Sequence, residues 1–422
     1  AQEMLKTHGS FLKEGIRFLD GRIFEDEERK QFNQLETIAL ESKDAFQYRK
    51  SSHLKVDTSC YAVISGPAHK ELLPVLCEEI KSDEHEARPV LRKRPLLEFM
   101  QTEEMWWESL GRPLPAKLLT FSDKVCLPYE WERIKAYGIE RYLWCYDDPF
   151  RGAADQHSFN HFDRVYCFDP FLTKRLQKII SKPIHFLPAA TTFGQGISSS
   201  PPAHLPAHFD VTFVGSTGLQ RQDDRLLQLV AKRDPSYKTL EHFVTEQLTR
   251  NSRVSYDDLL YLPVEFPGYT KQAQVILLQD LATFVIRLHY LTALTGTSAV
   301  IYGDQLWAEE SITGAASKLY GGQSTDFLQE TPWIYHNSKI NINTFNVQCV
   351  NSPTVRMFYV MACGGFFLTE YRPFLETMFE IGQEIEVFHN RDELLEKINH
   401  YLEHDEERKR IASAGCKRVL RE

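Results

Sequence analysis

Apolar residues recur along this chain in two rhythms. Over the first forty residues they fall at helical spacing, with Phe11, Ile16, Phe18 and Leu19 in one run and Phe32, Leu35, Ile38 and Leu40 in the next. Residues 1–56 therefore read as a charged helical N-terminal segment, suited to docking or to a partner surface and carrying no chemistry. From Cys60 the rhythm shortens to apolar runs that end in small or polar residues and alternate with helical pattern. Residues 60–66, 118–122, 141–150, 164–169 and 184–188 are five candidate strands. Helices are expected over 71–80 and 130–137, and the charged residues 81–117 read as a loop plus a helix. Such alternation predicts a doubly wound, mostly parallel sheet in a domain spanning 57–200.

Residues 194–209 are rich in Gly, Ser and Pro, break both rhythms and form the linker candidate. A second α/β domain is expected over 201–422. It opens with a strand, a Gly215-Ser216-Thr217-Gly218 turn and a helix, and carries a helical insertion at 233–295 whose strongest amphipathic piece is 281–294. Further strands are expected at 298–304, 318–322, 338–343, 365–369 and 384–388. The stretch 338–388 organises this half. A strand runs into a polar turn with Asn346, Asn351 and Ser352. A helix then begins at or near Ser352, with Pro353 in its first position and Thr354 beside it, and stops at Gly364-Gly365 before the next strand. A helix start placed there offers unpaired N–H groups and a positive dipole end to a phosphate or diphosphate, and Arg356 in the first turn adds fixed charge.

Composition narrows the classes. A net charge of −9 with no basic face argues against nucleic acid as a partner. The eight cysteines are scattered without C-x-x-C or metal-ligand spacing, so no metal is expected and a reducing, cytoplasmic compartment is. No segment reads as a membrane span or a secretory leader. The chain opens on Ala1 and closes inside a helical pattern, as a piece of a longer protein would.

An Asn-ending strand (Asn341, Asn343), then Arg356, Phe358 and Ala362-Cys363-Gly364-Gly365, an apolar strand, and Gly382 with Glu384 before an acidic-capped helix resemble a known pattern. It is that of the nucleotide-sugar half of GT-B glycosyltransferases, most like the spore-maturation CgeB-like group, and the paired helices of the tail are similar too. The resemblance implies two Rossmann-like doubly wound domains. It also implies a nucleotide-sugar donor, UDP-linked, a glycan or protein acceptor, and no cofactor or metal. Gly215, Ser216 and Arg221 match that group's V-G-S…R pattern, placing Arg221 beside Arg356 on the diphosphate. The wider donor-binding set is Tyr335, Asn341, Asn343, Ser352, Thr354, Tyr359 and Glu370, with Tyr335 in an aromatic run that can stack a base. Many retaining members carry two glutamates eight positions apart around this helix. Here those positions hold Asn351 and Tyr359, so retention is not carried over.

For proton transfer the candidates are Asp147 and Asp148, an acidic pair at a strand end, where adjacent carboxylates cannot both ionise freely. His157 and His161 are alternative bases, and Asp169-Pro170 is a turn that can line the cleft expected to hold the ligand at the carboxyl ends of the strands. These features fit a glycosyltransferase acting by inversion. A nucleotide-sugar 2-epimerase and a binding module without catalysis remain open alternatives.

Overall fold

The structure is a computed structural model and describes residues 56–65, 86–91, 114–121, 131, 134–152, 159–188, 201–219, 224–266, 271–323 and 330–421. The N-terminal segment up to residue 55, the helix expected over 71–80, His157 and Arg221 lie outside the described residues. The chain divides into two compact units, each with its own sheet.

The first sheet contains β1 (Val56–Ser65), β2 (Glu86–Leu91), β3 (Leu114–Thr120), β4 (Glu140–Cys145), β5 (Arg164–Cys167) and β6 (Ile184–Phe186). Their spatial order is β2-β1-β3-β4-β5-β6, with β2, β1, β3, β4 and β5 paired parallel. The five strands expected here are present, and their inward positions, among them Leu118, Leu143 and Val165, are buried. β2 corrects the reading of 81–117 as loop plus helix. Its alternation is obscured by Arg88 and Pro89, but β2 is the edge of the sheet, where a proline without an N–H is tolerated. After β5, Asp169 caps helix α1 (Pro170–Gln177): one carboxylate oxygen accepts from the N–H groups of Phe171 and Leu172 at 2.8 and 3.2 Å.

The second sheet contains β7 (Phe209–Val214), β8 (Ala299–Tyr302), β9 (Tyr320–Gly322), β10 (Ser338–Asn343), β11 (Phe367–Glu370) and β12 (Glu386–Phe388), every one expected from sequence. All five neighbouring pairs are parallel, in the order β12-β11-β10-β7-β8-β9. Numbered within the unit this is the dinucleotide-fold order, and the connection direction reverses between β7 and β10. Helix α2 (Asp224–Ala231) follows the turn after β7. The insertion holds α3 (Pro235–Thr249), the capping-box helix α4 (Tyr256–Leu260) and α5 (Lys271–Leu291). Helices α6 (Glu330–Asn337) and α7 (Val355–Ala362) flank β10, and α8 (Arg391–Glu403) and α9 (Asp405–Arg421) close the chain.

Two expectations are corrected here. Residues Gln274–Leu294 are long and apolar enough to cross a membrane by length and composition, but 67% of that window is buried inside the protein. Helix α7 begins at Val355 with Thr354 as N-cap, not at Ser352, so Pro353 precedes the cap and Arg356 is the second helical residue. Its other end is a Schellman closure: Gly364 (φ 74°) donates to Met361 O at 2.9 Å and Gly365 to Val360 O at 3.0 Å. Gly365 must be glycine for a second reason. A Cβ there would lie 2.7 Å from Tyr335 O and 2.8 Å from the Asn341 amide.

Candidate functional site

The carboxyl ends of β7 and β10 flank the place where the strand order of the second sheet reverses, the usual ligand position in open α/β sheets. From β7 emerges the Gly215–Gly218 turn. Asp304, just beyond β8, fastens it from behind: its carboxylate accepts from the Thr217 N–H and hydroxyl, and from the Leu306 N–H at 3.0 Å. Trp307 adds an indole N–H to Gly215 O at 2.8 Å. Thr217 is fully buried by these contacts, whereas Ser216 is exposed.

Two arginines converge on this turn. Arg287, 3% exposed on α5, donates to Ser216 O at 2.6 Å and to the Asn346 side chain in the loop after β10. Arg356, half-buried on α7, donates to Asn343 Oδ1 at 2.7 Å and meets the Tyr335 hydroxyl. Both guanidinium groups lie over the Phe213 ring, at 6.0 and 5.2 Å from its centroid. Gly215 is where Arg356 reaches the backbone, since a Cβ on it would stand 2.6 Å from a guanidinium nitrogen. Burial, and then the like charge of Arg356, lower the Arg287 pKa from its ordinary value. An anion placed at the turn relieves that repulsion, so the arrangement is built for negative charge.

Of the residues predicted to bind donor, Gly215, Ser216, Asn343, Thr354 and Arg356 come together here. Asn343 is the organiser: its amide donates to Thr369 Oγ1 at 2.9 Å while its oxygen holds Arg356, with Thr354 Oγ1 at 3.5 Å. Asn341 points the other way, as a brace. Its amide donates to Tyr335 O and Phe366 O and its oxygen accepts from Thr212, all within the core. Glu370 also braces, taking the Phe345 N–H at 3.1 Å and pairing with Arg372 at 3.1 Å, both side chains being buried. Tyr335 and Tyr359 are 4% and 6% exposed, so neither offers a ring face for a base; burial pushes the Tyr335 hydroxyl up to about 12. Ser352 and Thr344 are fully buried with hydroxyls that lack a hydrogen-bond partner.

In the first unit, Asp147 is exposed at the end of β4 and Asp148 is buried, one of its oxygens accepting the Phe150 N–H at 2.9 Å. Asp148 therefore shapes the strand-end turn. Among the described residues no group of three or more His, Cys, Asp or Glu side chains is placed to hold a metal ion. Cys145, Cys167, Cys349, Cys363 and Cys416 are free thiols.

Residues 287–422 match the family model described as glycosyl transferase-like. That segment begins at Arg287 and contains Asp304, Asn343, Asn346 and Arg356. No curated protein matches the chain in sequence. Among solved structures it is similar to a glycosyltransferase from Rickettsia africae, at 9% identity over 86% of this chain and 94% of that one, with a TM-score of 0.47. Sucrose-phosphate synthase from Thermosynechococcus elongatus is similar at 10% identity, 86% and 94% coverage and TM-score 0.47. Anabaena HepE in complex with UDP-glucose is similar at 10% identity, 85% and 94% coverage and TM-score 0.47.

Sequence reasoning missed Arg287 and Asp304, and named Asn346 only as part of the polar turn after the strand. A signal for Arg287 was present: it is the one arginine or lysine in the apolar run 281–294. A guanidinium in such a run needs a buried partner.

Proposed function

We propose that the protein is a nucleotide-sugar-dependent glycosyltransferase whose second unit binds the donor and whose first unit serves the acceptor. The observation that carries this is the convergence of Arg287 and Arg356 on the Gly215–Thr217 turn, inside the carboxyl-end crevice of a doubly wound sheet. The glycosyl transferase-like match over residues 287–422 supports it. In this reading a diphosphate lies against the turn and Arg356 faces it directly. Arg287 acts from beneath by holding the turn, and the pair stabilises the charge that develops as the sugar departs. The arginines fill the role a metal ion plays elsewhere, so turnover should survive treatment with a chelator. With Asn351 and Tyr359 where retaining relatives carry glutamates, the proposed course is inversion, with exposed Asp147 taking the acceptor hydroxyl's proton. UDP-linked sugars are the first donors to test. The localisation that goes with this reading is cytoplasmic.

Incubation with a panel of nucleotide sugars tests the activity. Release of free nucleotide with an acceptor present supports transfer. Conversion of the donor sugar without release would make the protein an epimerase. The engagement of Asp148 in its turn favours a second reading, a module that binds donor without turnover, and binding with neither product would establish it.

A further inference from the structure

A cavity of about 500 Å³ opens at the carboxyl ends of β11 and β12, at the edge of the second sheet. Its lining includes Tyr371, Phe379, His389, Glu376 and Glu380 and, among the described residues, no lysine or arginine. The Tyr371 and His389 rings stack at 4.5 Å with 28° between their planes. Each ring is anchored. The Tyr371 hydroxyl donates to Glu376 at 2.8 Å, the His389 imidazole meets Glu393 at 2.9 Å, and Tyr371 N donates to Phe388 O at 2.8 Å. The floor is apolar, with Phe379 and Val387 almost wholly buried. None of these side chains takes part in the diphosphate site described above.

We propose that this cavity is a second ligand site that takes a small organic ammonium ion. The volume falls within the usual range for small-molecule sites. Aromatic faces attract cations through their quadrupole, and carboxylates at the mouth add a field of the matching sign. The same carboxylates oppose a phosphate or a sugar acid. A neutral sugar meets the rings but draws nothing from the field. Stacking and hydrogen bonds hold the rings in place before the ligand arrives, so little ordering is left for binding to do.

The test is calorimetric titration of the full chain with choline chloride at about pH 8, above the ordinary histidine range. Saturable binding is expected. Tyr371→Ala should weaken it about twofold to fivefold, the loss of one exposed cation–π contact, and the Glu376→Gln/Glu380→Gln double variant should weaken it as well. Tyr371→Phe keeps the ring and should retain most of the affinity, which separates recognition from folding. Ethanolamine, which stays an ammonium ion at this pH, should displace choline and glucose should not. No saturable binding, displacement by glucose as readily as by ethanolamine, or indifference to all these substitutions would overturn the proposal. Titration with UDP reads the other site, so failure here leaves the diphosphate assignment standing.

Discussion

Arg287 donates to the carbonyl oxygen of Ser216 across 2.6 Å, although the two are 71 residues apart in sequence. The bond places one positive charge beneath the turn after β7, while Arg356 stands beside it, half-buried and closer to solvent. The two arginines therefore have separable jobs. Replacing Arg287 by Met leaves Ser216 O and the Asn346 side chain without their buried donor. Stability should fall by about 2–4 kcal/mol, measured by urea unfolding. Arg356→Ala should cost well under half of that. Equal losses would mean that both arginines are structural.

Two glycines answer for the closeness of the turn. At Gly215 an added Cβ meets the far end of Arg356 at 2.6 Å and the Phe213 ring at 3.0 Å. The guanidinium can swing away, so Gly215→Ala should weaken nucleoside diphosphate binding more than it lowers Tm. At Gly303 the added Cβ runs into Gly215 O and lies 2.9 Å from the Trp307 ring. Neither can give way, and Gly303→Ala should destabilise by about 2 kcal/mol or more. Thermal unfolding and titration of the two variants side by side check the contrast.

The acidic pair after β4 divides in the same way. Asp148 uses an oxygen to hold the Phe150 N–H, a bond that asparagine can also make. Asp148→Asn should therefore leave turnover within a few-fold of the parent. Asp147 is exposed, and Asp147→Asn should cut turnover by about 10²–10⁴-fold while leaving donor affinity and Tm unchanged. A steady-state comparison on nucleotide release settles which carboxylate serves, and the reverse ranking would move the base to Asp148.

Acid should loosen the second unit through His289. Burial, and then the charge of Arg391, hold this imidazole below its ordinary pKa. The unfolded chain takes up its proton first, near pH 6.5, so between that pH and the lower folded value the unfolded state binds more protons. Stability therefore falls as pH falls through this window and is fully present above it. His289→Gln should flatten the Tm profile between about pH 7 and pH 5; an unchanged slope would assign the acid sensitivity to other groups.

Much of this was legible in the chain. Short apolar runs, four of them ending in glycine or asparagine, marked the six strands of the second sheet, because a buried parallel strand needs little else. β2 was hidden because Pro89 and its charged neighbours are tolerable at an edge strand. The Gly-Ser-Thr-Gly turn, Asn343 and Arg356 were readable as local pattern around a strand end and a helix start. The start of α7 was misplaced by two residues of turn, since Ser352 looks like a cap from sequence but is buried in the preceding loop. Asn341 and Glu370 were assigned to the ligand on motif alone, and only their buried partners show them to be braces. Arg287 and Asp304 reach the turn from distant segments, and no local pattern carries such a pairing.

The most direct measurement is calorimetric titration of the parent and of Arg356→Ala with UDP and with uridine. The substitution should weaken UDP by about 1.5–3 kcal/mol, the range for hydrogen bonds to charged groups, and leave the affinity for uridine nearly unchanged. Equal losses for UDP and uridine, or no loss for either, would contradict a diphosphate seated between Arg356 and the turn after β7.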